Sequence, residues 1–116
     1  MPIIKEKLRE RLGVHTCDQR SSKTWIANAF PEFQIEDGFA EKDELWKVGR
    51  RETIDEHAER AKEMLSDLFD NDEGQTIAMV AHSGALTALF KATGWGKIPV
   101  EADALYPLLV CGTKAN

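Results

Sequence analysis

Thr76-Ile77-Ala78-Met79-Val80-Ala81-His82-Ser83-Gly84-Ala85-Leu86 joins an apolar run to a histidine and a helix start. Thr76 to Ala81 is an almost unbroken apolar run behind the turn-forming Asn71-Asp72-Glu73-Gly74, the pattern of a strand buried on both faces of a parallel sheet. Ala85 to Thr93, apolar at Leu86, Leu89 and Phe90, predicts a helix closed by Gly94. His82 then falls at a strand's carboxyl end, with Ser83 and Gly84 at the junction. In open α/β sheets ligands bind at such ends, and a helix beginning there offers free backbone N–H groups to an anion. His82 is the first candidate functional residue. On spacing alone, the competing reading is a hydrogen-bonded structural histidine.

Upstream, Thr53-Ile54-Asp55-Glu56 is a capping box that predicts a helix to about Phe69. Its apolar stripe runs through Ile54, Ala58, Ala61, Met64 or Leu65, Leu68 and Phe69, with Glu56, Glu59, Arg60, Lys62 and Glu63 on other faces. His57 lies beside the stripe and reads as structural. Ser21 or Ser22 caps a helix through Trp25, Ile26 and Ala29 that Pro31 ends. Phe33-Gln34-Ile35 is too short to assign. After Gly94-Trp95-Gly96, Leu105 to Cys111 predicts a last strand, and Pro107 puts it at a sheet edge or bends it. Three strands and three substantial helices make a single α/β unit over residues 1–116, without internal repeats.

A chain of 116 residues suits one domain. Its formal net charge of -5 argues against a general nucleic-acid or anionic-membrane binder. No apolar run approaches the roughly 20 residues of a membrane span, and no secretory signal core opens the chain, so a cytoplasmic location is expected. Cys17 and Cys111 show neither C-x-x-C spacing nor a histidine cluster, and two free thiols are expected, Cys17 as a small buried residue. Between Phe39 and Trp46, the carboxylates Glu41, Asp43 and Glu44 have no ordered calcium-loop spacing, so no metal is expected. They read as a solvated loop over the inward-turned Phe39, Leu45 and Trp46, and they compete for any role as a catalytic acid.

Ala81-His82-Ser83-Gly84, between a buried strand and an Ala/Leu-rich helix, resembles the second catalytic histidine of the histidine phosphatase superfamily, the phosphoglycerate-mutase-like proteins. Leu8-Arg9-Glu10-Arg11-Leu12-Gly13 is similar to that family's L-x-E-x-x-G motif, whose glutamate donates a proton to the leaving oxygen. The resemblance assigns that role to Glu10; read without it, the segment is a charged helix face. The longer string L-R-E-x-x-G-V-H-T-C-D-x-R-S looks like the fungal members in particular. It implies substrate contact for His15 and Arg20, the latter suited to bidentate phosphate binding, where the residues alone allow plain loop structure. Ser83 and the helix amides after it would bind phosphate. The implied architecture is part of a three-layer α/β/α fold with a mostly parallel sheet.

The chain also departs from that pattern. Family members open with a strand ending in R-H-G, whose histidine becomes phosphorylated, and continue to an R-A-x-x-T type segment; neither string occurs here. His15 follows Val14, His57 follows Glu56 and His82 follows Ala81. The resemblance therefore covers roughly the second half of the family's domain, and the expectation is an N-terminally truncated domain. The implied chemistry is phosphomonoester hydrolysis or phosphoryl transfer through a phosphohistidine in the complete domain, without a metal or other cofactor. An imidazole attacks phosphorus, and a positioned acid protonates the leaving alkoxide. Alone, the chain is expected to be inactive and marginally folded, or self-associated through an exposed sheet edge. Its partner would be a small phosphorylated substrate. The alternative is a non-catalytic phosphate-binding or interaction module.

Overall fold

The long helix that the capping box predicts is the beam of the structure. In a computed structural model, which describes residues 1–95 and 98–112, this helix (α2) spans Ile54–Asn71. Thr53 Oγ1 accepts from the Glu56 amide and Glu56 Oε1 accepts from the Thr53 amide, both at 3.1 Å, so two donors that a helix start leaves unpaired are satisfied. The helix carrying the histidine junction (α3, Ser83–Ala92) packs along it. Ala58, Ala61 and Met64 of α2 and Ala85, Ala88, Leu89 and Phe90 of α3 are buried, and Lys91 pairs with Asp55 between the two helices. Gly94, with a φ of 83°, ends α3 in the left-handed region. Gly96 lies outside the described residues. A shorter helix, α1 (Lys23–Ala29), starts where Ser22 Oγ accepts from the Trp25 amide.

The middle of the apolar stripe of α2, Ala58, Ala61 and Met64, is buried as its letters indicate, but the stripe's two ends are not and polar residues join the buried face. Ile54 and Phe69 are about half exposed, at 51% and 53%, whereas His57 and Arg60 are buried. The carbonyls of Lys7, Arg9 and Glu10 lie against this side of the helix, and hydrogen-bonding groups of His57 and Arg60 meet them.

Two short strands pair in parallel, β1 (Ile3–Ile4) with β2 (Gln34–Ile35), in the register Ile3 to Gln34 and Ile4 to Ile35. The apolar run before His82 corrects the expectation made for it. Thr76 to Ala81 is not a ladder strand, and none of its backbone groups bonds to another backbone group among the described residues. Nor is it buried on two faces: Ile77 is 42% and Val80 93% exposed. A strand needs a neighbour to close its hydrogen bonds, and the described residues place none beside it. Instead Ile77 to His82 forms one wall of a cavity of about 740 Å³ whose other walls include Ile3, Ile4, Phe33, Met64 and Leu68.

Leu105 to Cys111 is likewise irregular, with Leu105 and Leu109 exposed. Tyr106 anchors it by an edge-on contact with Phe90 and by a hydroxyl that donates to the Pro99 carbonyl and accepts from the Glu101 amide. The described architecture is thus α/β, with three helices and one two-stranded parallel pair.

Candidate active site

The amino end of α3 is where the sequence motifs converge. His82 is the N-cap residue, in extended backbone, with an exposed side chain; Ser83 follows, also exposed. The Gly84 amide donates at 3.0 Å to Oε2 of Glu10, 74 positions earlier in the chain, while Glu10 Oε1 accepts from the Arg11 amide at 2.9 Å. A carboxylate thus sits at the positive end of a helix, where unpaired N–H groups and the aligned peptide dipoles favour negative charge. Only a glycine allows the approach: a Cβ at position 84 would lie 2.1 Å from Glu10 Oε1. Glu10 and the Ala81-His82-Ser83-Gly84 turn are therefore one site in space.

Glu10 is held there from behind by α2. Arg60 directs Nη2 to the Glu10 carbonyl at 3.1 Å and Nη1 to the carbonyls of Lys7 and Arg9 at 3.0 and 2.9 Å. Its remaining donors form a bidentate pair with Glu52, Nε to Oε2 at 3.0 Å and Nη2 to Oε1 at 2.8 Å. All five guanidinium N–H groups are used, which is what a buried arginine requires.

Burial raises the Glu52 carboxyl, but the Arg60 hydrogen bonds, the Leu12 amide and the nearby positive charge outweigh it, and Glu52 lies below its ordinary value. His57, one turn before Arg60, is pushed below its ordinary value, first by burial and then by the Arg60 charge. Its Nε2 lies 3.2 Å from the Arg9 carbonyl, and because a carbonyl only accepts, that nitrogen carries the proton.

His15 and Arg20 are placed differently. His15 is exposed and precedes the 3-10 turn Thr16–Asp18, and no described contact joins it to Glu10 or His82. Arg20 is engaged within the protein. Its Nε bonds both oxygens of Glu6, its Nη1 donates to the Ser21 carbonyl and its Nη2 to the carbonyls of Ala40 and Lys42, while the guanidinium lies 4.2 Å from the centre of the Phe39 ring. Cys17 is exposed, not a small buried residue, and both it and Cys111 are free.

The acidic loop has Glu41 and Glu44 exposed and Phe39 buried, as expected, but Asp43 departs from that reading. The Asp43 side chain is only 1% exposed and forms a two-pronged pair with Arg9. Burial raises its carboxyl, yet the Arg9 hydrogen bonds, the Arg20 and Trp46 amides and the Arg9 charge prevail and hold it far below the usual carboxylate range. Asp43 is thus committed to bracing the loop. Sequence reading missed Arg60, Glu52 and Asp43 as supports. Arg60 had one signal, its place between His57 and Ala61 at the border of the apolar stripe; Glu52 and Asp43 had none.

Two motifs 74 positions apart thus meet at the amino end of one helix. The family model of the histidine phosphatase superfamily (branch 1) matches residues 1–105, and the chain belongs to that superfamily. It is 38% identical over 110 residues to a "Probable phosphoglycerate mutase" of Arthroderma benhamiae, covering 95% of this chain and 33% of the relative. It is 35% identical over 111 residues to "Phosphomutase-like protein 3" of Candida albicans, covering 94% and 35%. With "Phosphoglycerate mutase-like protein 1" of Arabidopsis thaliana it shares 45% identity over 84 residues, 72% of this chain and 29% of the relative. The chain therefore spans about a third of the length of the curated relatives it matches. No solved structure matches it. Among the described residues no helix is long and apolar enough to cross a membrane, and no cluster of three His, Cys, Asp or Glu could hold a metal ion.

Proposed function

We propose that these residues are the acid-bearing and phosphate-binding part of a phosphomonoester hydrolase or phosphoryl-transfer enzyme of the three-layer α/β/α kind. Glu10 is the proton donor to the leaving oxygen; His82, Ser83 and the first amides of α3 other than that of Gly84, which Glu10 takes, hold the phosphoryl group. The observation that supports this reading is the Glu10 to Gly84 contact, which sets an acid on the amide two residues along the chain from the histidine that would face phosphate. A general acid so placed contributes on the order of 10²- to 10⁴-fold in rate. The substrate is a small phosphorylated molecule, taken in the equatorial-oxygen grip that phosphoryl transfer requires.

None of the three histidines follows an arginine or precedes a glycine, and the 116 residues alone are inactive on this reading. The test is phosphate release from an aryl phosphate by the chain preceded by the amino-terminal part of a relative. Glu10→Gln and His82→Ala should each reduce the rate by at least tenfold, the lower side of the general-acid range. An undiminished rate in either variant removes that residue from the site. The same histidine contexts favour a second reading, a phosphate-binding module without turnover. Saturable calorimetric binding of a phosphate ester by the 116-residue chain, with no phosphate released in either form, supports it.

A further inference from the structure

We propose that Arg60 is the positioning residue for Glu10, acting on its backbone rather than on its carboxylate. The inference rests on the reading of Glu10 as the proton donor. Three carbonyls of one short segment, those of Lys7, Arg9 and Glu10, converge on a single buried guanidinium at 2.9 to 3.1 Å. His57, one turn earlier on α2, reaches the same Arg9 carbonyl through Nε2. The segment is therefore wrapped around one face of α2, and the Glu10 side chain leaves it toward α3, the helix packed on α2, where its carboxylate meets the Gly84 amide.

Residues 9 and 10 belong to no helix or strand, so no ladder fixes the direction in which Glu10 points. Asp43 holds the Arg9 side chain, and Glu52 holds Arg11 and Leu12, while the Glu10 carbonyl itself is held by the fork of Arg60. Its planar geometry can bond three carbonyls and a carboxylate at once; a lysine ammonium, a point charge with three donors, cannot reproduce the pattern. Glu52 balances the charge and fixes the orientation of the fork.

The Gly84 amide reports the position of Glu10 without any substrate. In the ¹⁵N-labelled 116-residue chain Glu10→Gln should move that resonance, because a charged acceptor of the Gly84 N–H is replaced by a neutral one. Arg60→Lys, in a chain that remains folded by circular dichroism, should move it too while amides elsewhere in α3 keep their shifts. A folded Arg60→Lys that leaves the Gly84 resonance in place overturns the proposal. If Arg60→Lys does not fold, amide exchange in the native chain decides. In urea below the unfolding midpoint the Arg60 Nε–H and the Gly84 N–H should lose protection in one step, and Gly84 opening while Arg60 stays protected also overturns it. Because no turnover is measured, loss of the phosphatase reading in the rate assay and loss of this inference in the resonance assay are separate results.

Discussion

Asp43→Ala should be strongly destabilising. The carboxylate accepts from Arg9 Nη1 and Nη2 at 2.8 Å each and from the amides of Arg20, Leu45 and Trp46 at 2.9, 3.0 and 3.1 Å. Removing one partner of a buried ion pair costs about 3–5 kcal/mol. Arg9 is 15% exposed and keeps the Asp18 carbonyl, which places this part near the lower end, ~3 kcal/mol. The three orphaned amides add on the order of 1 kcal/mol together where water reaches some of them. The expected loss is about 4 kcal/mol, a large part of the ~5–15 kcal/mol that holds a domain together. Asp43→Asn keeps an acceptor for the Leu45 and Trp46 amides and should lose about half as much, ~2 kcal/mol. Urea unfolding followed by circular dichroism measures both; with a slope of ~1 kcal/mol per M, the asparagine variant shifts the midpoint by about 2 M. An alanine variant within about 0.5 kcal/mol of the parent, the range of an ordinary surface change, would refute the bracing role.

The stability that His57, Glu52 and Asp43 each contribute should be lost as pH is lowered, against an opposite contribution from Glu36, whose carboxyl burial raises. The folded-state value of His57 is depressed below 6.5, so the unfolded chain binds the extra proton first, and its contribution is lost as pH drops through and below that value. Glu52 and Asp43 are depressed from 4.5 and 3.8, and the stability they give is present above those values and lost beneath them; urea midpoints at pH 8, 6.5, 5 and 4 would expose an opposite slope. Gly84→Ala should displace the Glu10 carboxylate, whose flexible end can swing away at a cost of about 1–2 kcal/mol, and should abolish the Gly84 contact in the solved variant; an unmoved Glu10 would contradict it. Self-association through the unpaired stretch is expected as well. Sedimentation should show a concentration-dependent mass that Val80→Lys reduces, and a monomer at all concentrations would count against the open edge.

Local rules made three helices legible from the letters. The Thr53 and Glu56 capping box, the Ser22 cap and Gly94 act within one turn of chain, so their consequences are written where the residues stand. The short motifs around Glu10 and His82 were legible as a resemblance for the same reason, each confined to a few consecutive residues. Strandhood in Thr76 to Ala81 was not: apolar letters say that a segment seeks cover, but a ladder exists only if another backbone lies beside it. Nor could the sequence tell that Arg60 is buried while Ile54 and Phe69 stay half exposed. A charged side chain reads as solvated until the carbonyls of Lys7, Arg9 and Glu10 and the carboxylate of Glu52 are seen around it. Periodicity and caps depend on neighbours in the chain, so the sequence determined the helices. The pairing of Arg60, Asp43 and Glu10 with groups 23 to 74 positions away depends on neighbours in space, which become visible once the chain is folded.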